Sequence, residues 1–149
     1  MLLLGLVSCD VNMPCSESTD VFLRAQLCRI DSLGKERNLT ATVTLQASGN
    51  DSVWYSNSQL SLLELPLNPN DTETSYKIDL MTEDSVWHHD VLTISHENRS
   101  HFLSMVCGAY TAFRLTGYRL DSSDAIKDVA ILQESVDNQT ATHLKLYVD

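Results

Sequence analysis

The sequence predicts an all-β fold, mainly an antiparallel two-sheet β-sandwich with at most one or two short helices. Residues 39–47, LTATVTLQA, alternate apolar and polar side chains without a break. Residues 76–80 and 143–148 show the same alternation, and polar turns separate these runs. Alternation with a period of two places successive side chains on opposite faces of a strand, so each run has one face for a core. Short strands divided by polar turns are typical of an antiparallel sandwich.

The remaining elements follow from apolar runs and breakers along the chain. Leucines 60, 62, 65 and 67 of the run at 60–67 are predicted to face the interior, and Pro66 and Pro69 end it. Residues 122–134 fit either a short helix capped by Ser122 or Ser123, or a strand around 129–132. The other predicted strands are 21–28, 53–55, 85–95, 101–107 and 110–120.

A chain of 149 residues is long enough for one domain with a core of its own. We assign residues 21–149 to a single sandwich domain and residues 1–20 to a signal-peptide remnant with a polar lead-in. No apolar stretch reaches the roughly 18 residues that a membrane-spanning helix needs, so no membrane span is expected.

Asparagines that begin an N-x-S/T sequon are unusually frequent. Five of the eight asparagines do so, and none has proline at the middle position. The five are Asn38, Asn50, Asn70, Asn98 and Asn138. All lie near predicted turns or strand ends, where a glycan would remain in solvent. The excess predicts a glycosylated, secreted, extracellular protein.

The four cysteines show no metal-ligand spacing. Cys9, Cys15, Cys28 and Cys107 are therefore candidates for disulfides, in any of three connectivities. Cleavage of a signal peptide after Cys9 would leave three cysteines, one of them without a disulfide partner. The tetrapeptide at 6–9, LVSC, also fits a bacterial lipoprotein box, in which Cys9 would carry the lipid; this alternative remains open.

Four histidines fall within fourteen residues, close enough in sequence to be tested as a metal or catalytic site. His88 and His89 would point to opposite faces of a strand, and His96 and His101 miss the one-turn spacing of a helical zinc motif. No nucleophile motif or phosphate-binding glycine loop is present. We predict no enzyme, no catalytic residues, no metal and no cofactor. A hydrolase would require His88, His96 and His101 to converge.

Negative charge is the strongest compositional signal. The chain has 20 acidic and 10 basic residues, and the segment 60–90 holds seven acidic residues against one lysine. This charge disfavours nucleic acid and favours a basic protein partner. The predicted ligand-binding residues are Glu64, Asp71, Glu73, Asp79, Glu83 and Asp84. A merely solvating acidic face is the alternative, and no calcium-loop motif is present.

Several segments resemble a known viral family. The string FLRAQLCRIDSLGKERNLTATVTLQASG at 22–49 places a strand, Cys28, a polar turn and a long alternating strand in succession. Cys107, the GYRLD step at 117–121 and the closing LKLYV at 144–148 follow. This pattern is similar to the poxvirus secreted chemokine-binding proteins, especially their stand-alone SECRET domain. Many relatives have additional cysteines near the C-terminus that this chain lacks, so their disulfide pattern cannot be transferred.

The resemblance implies a β-sandwich that sequesters basic host chemokines on an acidic surface of one sheet, for viral immune evasion. Another glycosylated extracellular binding module is the alternative, either an Ig-like receptor fragment or a viral ligand of an MHC-type molecule. Cys28 and Cys107 lie 79 residues apart with Trp54 between them, a stretched form of the Ig frame. The identity of the ligand and the oligomeric state do not follow from the sequence.

Overall fold

The computed structural model describes residues 15, 18–47 and 52–149. This part of the chain contains strands and turns but no helix. The strands are β1 (Phe22–Ile30), β2 (Glu36–Asn38), β3 (Ala41–Ala47), β4 (Val53–Leu60), β5 (Leu62–Pro66), β6 (Glu73–Met81), β7 (Trp87–Ser104), β8 (Gly108–Ser122), β9 (Ile126–Ile131), β10 (Ser135–Val136) and β11 (Leu144–Val148). The predicted all-β sandwich is confirmed.

The strands form two sheets with different pairing. The six-stranded sheet has the order β10-β8-β7-β6-β3-β4, and all its pairs are antiparallel. The five-stranded sheet has the order β2-β1-β11-β9, with β5 also on β1. One edge of β1 pairs with β5 at Phe22–Gln26 and with β2 at Cys28–Ile30, while its other edge pairs in parallel with β11.

The core fills the space between the sheets with alternate side chains from each strand. Val43 and Leu45 are fully buried, and Leu39 and Ala41 nearly so, as the alternation at 39–47 predicts. Tyr76, also fully buried, crosses the core and donates its hydroxyl hydrogen bond to the Pro66 carbonyl oxygen at 2.5 Å. This bond joins β6 of one sheet to the end of β5 in the other. The bond gives the buried hydroxyl of Tyr76 a hydrogen-bond partner, so burying the ring leaves no polar group unpaired.

Three element predictions need correction. Residues 85–95 and 101–107 do not form two strands: β7 runs unbroken through 87–104, and 105–107 form a turn. Of the two alternatives for 122–134, the helix is wrong and the strand is confirmed, because the segment contains β9, which begins at Ile126, three residues before the predicted strand. In the run at 60–67 the buried leucines are Leu63, Leu65 and Leu67, whereas Leu60 and Leu62 are only partly buried, since a break at Ser61 separates β4 from β5.

Val43→Ala should lower the free energy of unfolding by on the order of 1–3 kcal/mol, because it leaves a void among fully buried neighbours. Thr42→Ala, on the outward-facing side of the same strand, should change it much less. Urea denaturation followed by circular dichroism measures both. Equal losses would contradict the assignment of faces in β3.

Candidate functional site: a carboxylate–histidine cluster at one end of the six-stranded sheet

The six predicted ligand-binding acids do not form one surface. Glu64 lies on β5 in the other sheet, with Oε1 3.8 Å from Arg24 Nε. Asp71 lies in the loop before β6, Glu73 begins the strand and Asp79 lies near its end. Glu83 and Asp84 follow in the turn before β7. Eight residue steps along β6 separate its ends by about 27 Å, so only the last three acids can share a surface.

That end of the sheet carries a cluster of three carboxylates and two histidines. Pairing of Asp79 with His89 across β6 and β7 brings Asp79 Oδ1 within 2.6 Å of His89 Nδ1. His88 lies between two acids: its Nε2 is 2.8 Å from Asp84 Oδ2 and its Nδ1 is 3.3 Å from Asp124 Oδ1. Asp124 Oδ2 also accepts the backbone N–H of His89 at 3.2 Å. We call these five residues the carboxylate–histidine cluster.

The acidic neighbours of the two histidines raise their pKa values. Hydrogen bonds to Asp84 and then to Asp124 raise the pKa of His88, and the hydrogen bond to Asp79 raises the pKa of His89. The same contacts to His88 hold the pKa values of Asp84 and Asp124 below their usual range. The acids are therefore ionised at neutral pH, while the charge of the histidines changes as the pH rises above their ordinary range.

Beside the cluster, a buried carboxylate joins the two sheets. Asp90 on β7 is 1% exposed, and its Oδ1 accepts the backbone N–H groups of Asp124 at 2.6 Å and of Ala125 and Ile126 at 3.2 Å. Here the chain leaves β8 of one sheet and enters β9 of the other. Burial raises the pKa of Asp90, whereas the three N–H donors favour its ionised form. Asp90 thus fixes the turn that positions Asp124.

Histidine convergence, which a hydrolase would require, does not occur. His88 and His101 lie thirteen residues apart on the same strand, roughly 43 Å. His96 is buried between them, bonded to Thr74 Oγ1 at 2.8 Å and packed edge-on against Phe113. Among the described residues no group of three His, Cys, Asp or Glu side chains is arranged to hold a metal ion.

An open groove of about 310 Å³ lies between β10 and the distal part of β7 and β8. Arg114 crosses it and binds Glu97 through two hydrogen bonds, of 3.1 and 2.9 Å, while its Nη1 is 3.8 Å from Glu134. His101 and Tyr110 stack at the groove with ring centroids 5.0 Å apart. Arg114 and Glu97 are thus engaged with each other rather than directed at a ligand.

The sequons differ in how accessible their amide nitrogens are. Asn38 and Asn70 are exposed. Asn98 is also exposed, but its Nδ2 donates to the carbonyl oxygens of Pro69 and Asp71 at 3.0 and 2.6 Å. Asn138 is only half-buried rather than fully exposed, and its Nδ2 donates to Ser18 O at 3.0 Å. Because a glycan attaches to this nitrogen, the last two sites compete with structural hydrogen bonds. Asn50 lies outside the described residues.

One disulfide forms among the described cysteines. Cys15 and Cys107 form a disulfide with their Cα atoms 5.3 Å apart. Cys28 is a fully buried free thiol, so it is not a disulfide partner, and the Ig-type bridge from Cys28 to Cys107 does not form. Burial raises the pKa of the Cys28 thiol, which keeps it protonated and unreactive. Cys9 lies outside the described residues.

Sequence reasoning found Asp79 and Asp84 but missed the other three residues of the cluster. Glu83, the third predicted acid at this end of the sheet, pairs with Arg29 instead. It treated His88 and His89 as ordinary strand histidines and left the segment with Asp124 open between a helix and a strand. The motif WHHD at 87–90 was a usable signal for two histidines beside the acids. Asp124 lies 35 residues from His89 in the chain, and only the crossover from β8 to β9 brings them together.

The fold defines an all-β sandwich protein, and among the described residues no helix is long and apolar enough to cross a bilayer. The chain belongs to a family of unknown function (DUF6452), whose model matches residues 40–148, from β3 through β11. It matches no curated protein and no solved structure. Since the family has no assigned function, the resemblance to chemokine-binding proteins stays a prediction.

Proposed function

We propose that this protein is a non-catalytic extracellular binding protein that captures a cationic protein ligand at the carboxylate–histidine cluster. One observation carries the proposal: Asp79, Asp84 and Asp124 take histidines, rather than lysine or arginine, as their hydrogen-bonded side-chain partners. When the histidines are neutral, three negative charges face a ligand with no lysine or arginine hydrogen-bonded to them. A protein carrying lysine and arginine side chains would supply the missing cations.

Two further features support an extracellular binding role. The formal net charge of −10 would steer basic proteins toward the chain over distances of about a Debye length. The disulfide between Cys15 and Cys107 is a feature of proteins in oxidising compartments, where the accessible sequons Asn38 and Asn70 could also be used. Basic host chemokines are the first ligand class to try, on the strength of the sequence resemblance alone.

Asp79→Asn combined with Asp84→Asn should slow association with a basic chemokine by roughly tenfold or more, because two steering charges are lost at the contact. The matched control is Asp71→Asn with Glu134→Gln, which removes the same charge from exposed positions outside the cluster. Surface plasmon resonance against a panel of chemokines, at low and raised salt, measures both. Equal slowing by the two double variants would show a diffuse effect of net charge and overturn the site.

Ligand affinity should also increase as the pH rises above about 6.5, through the raised pKa values of His88 and His89. Protonated histidines neutralise the cluster and oppose a cationic ligand, whereas neutral histidines leave the carboxylates available. The effect on stability has the opposite sign: a raised histidine pKa stabilises the fold fully below about 6.5, and that contribution disappears as the pH rises through the raised values. His88→Gln with His89→Gln should flatten the affinity profile, and a profile unchanged by these substitutions would contradict the mechanism.

A further inference from the structure

A long two-stranded arm extends from the sheet at the end opposite the cluster. The pairing of β6 with β7 ends at Glu73 and Ser95, but β7 and β8 continue to pair with each other as far as Ser104 and Gly108. Only Phe113 and Arg114 in this part of β8 have a further strand partner, in β10. We call residues 96–115 the arm. From His88 to Phe102 is fourteen residues, about 46 Å, so the cluster and the end of the arm are far apart.

The end of the arm exposes apolar side chains that nothing in the described chain covers. Phe102 is 64% exposed, Met105 93% and Val106 77%. We call these three residues the arm tip. They surround the turn at 105–107, where Gly108 has a φ of 76° that favours glycine. Exposed apolar residues grouped in this way mark a surface for protein or membrane contact.

The charge of the arm differs from that of the rest of the chain. Residues 98–113 contain no aspartate or glutamate, and Arg99 is their one permanently charged residue, in a protein with 20 acidic residues. Acidic side chains would be repelled by an anionic lipid surface, whereas arginines are attracted to it. The apolar tip and the acid-free residues 98–113 around it therefore match the chemistry of a bilayer surface.

The disulfide fixes the N-terminal segment to this same tip. Cys107 lies in the turn of the arm and is bonded to Cys15. Cys15 follows Cys9 by six residue steps, so the chain between them can span at most about 20 Å. Residues 2–9 read LLLGLVSC, an apolar run ending in the cysteine of the lipoprotein-type sequence. Any attachment of this run to a membrane would hold the arm tip within reach of the bilayer.

We propose that the arm tip docks on the surface of a lipid bilayer, with Phe102, Met105 and Val106 inserted among the lipids. Docking would point the carboxylate–histidine cluster away from the membrane, toward ligands in solution. The docking does not depend on what the cluster binds, because the two surfaces lie at opposite ends of the molecule and can be mutated separately.

Vesicle binding by the full chain tests this proposal. Every sample carries Cys9→Ser, so that no acyl group contributes. Phe102→Ser with Met105→Ser should lower the partition coefficient onto vesicles of phosphatidylcholine and phosphatidylglycerol by about tenfold, because two apolar side chains no longer leave water. Ile30→Ser with Leu33→Ser is the matched control: these residues are 59% and 80% exposed, lie at the other end of β1 from the disulfide-linked segment, and should leave partitioning unchanged.

A second readout reports insertion directly. Tryptophan fluorescence from Met105→Trp, measured as the difference from the parent protein, should be quenched by brominated lipids, and that from Leu33→Trp should not. Absence of quenching at position 105, or equal losses in both serine double variants, overturns the proposal. Sedimentation without vesicles gives the remaining outcome: if the tip variant abolishes self-association and leaves partitioning intact, the tip joins two copies of the chain and does not dock on lipid.

Discussion

Replacing Asp90 with alanine should lower the free energy of unfolding by about 3–5 kcal/mol, because three backbone N–H donors lose their acceptor and each buried donor left unsatisfied costs about 1–3 kcal/mol. The Asp90 carboxylate accepts three consecutive backbone N–H groups, those of Asp124, Ala125 and Ile126. Ala125 and Ile126 are themselves buried, so water cannot readily replace the lost acceptor. The substitution should also release the turn that places Asp124 against His88 and His89.

Guanidinium denaturation, monitored by circular dichroism and tryptophan fluorescence, measures this effect. Asp90→Asn keeps one acceptor oxygen and should cause a smaller loss. Asp79→Ala, which removes a carboxylate of the same type from the partly exposed position beside His89, should leave the transition midpoint nearly unchanged. A midpoint equally insensitive to Asp90→Ala would show that the turn at 124–126 holds without the carboxylate.

Cys15→Ser combined with Cys107→Ser should destabilise the fold by about 4 kcal/mol, the second large effect. The disulfide closes a loop with a sequence separation of 92 residues, and its removal returns that conformational entropy to the unfolded chain. The same loss should appear when the parent protein is unfolded in the presence of a reductant. The double variant supplies the internal control, because reductant should not shift its transition further. A transition midpoint of the parent protein that does not shift when reductant is added would contradict the prediction.

Most of the sandwich could be predicted because burial imposes a period of two on its strands. At 39–47 and 76–80 one face meets the core, and the apolar positions of the sequence are the buried positions of the structure. The distal half of β7 lacks this signal. Residues 97–102 are exposed, so nothing selects alternate apolar residues there, and one strand of 18 residues reads as two.

The segment at 122–134 shows how tertiary contacts override a local preference. Its serine cap and spaced apolar residues suit a helix. In the fold, Asp90 takes the N–H groups that would begin that helix, and β11 pairs with residues 126–131 along their length. Both partners are distant in sequence, and no local pattern could reveal them. The same reason explains why the acids at 79–84 could be identified while their connection to Asp124 could not.

The parallel pairing of β1 with β11 has a consequence for how the chain acquires its structure. Ala25 pairs with Leu144, and β11 lies between β1 and β9 in the smaller sheet. Among the described strands β11 is the last to be synthesised, so the smaller sheet cannot be completed before all the others have been made. The antiparallel hairpins of the larger sheet can form earlier, but contacts spanning this sequence distance are slow to establish. Until β11 is made, β9 has no strand partner among the described residues and one edge of β1 stays unpaired, so the smaller sheet closes after the larger one can form.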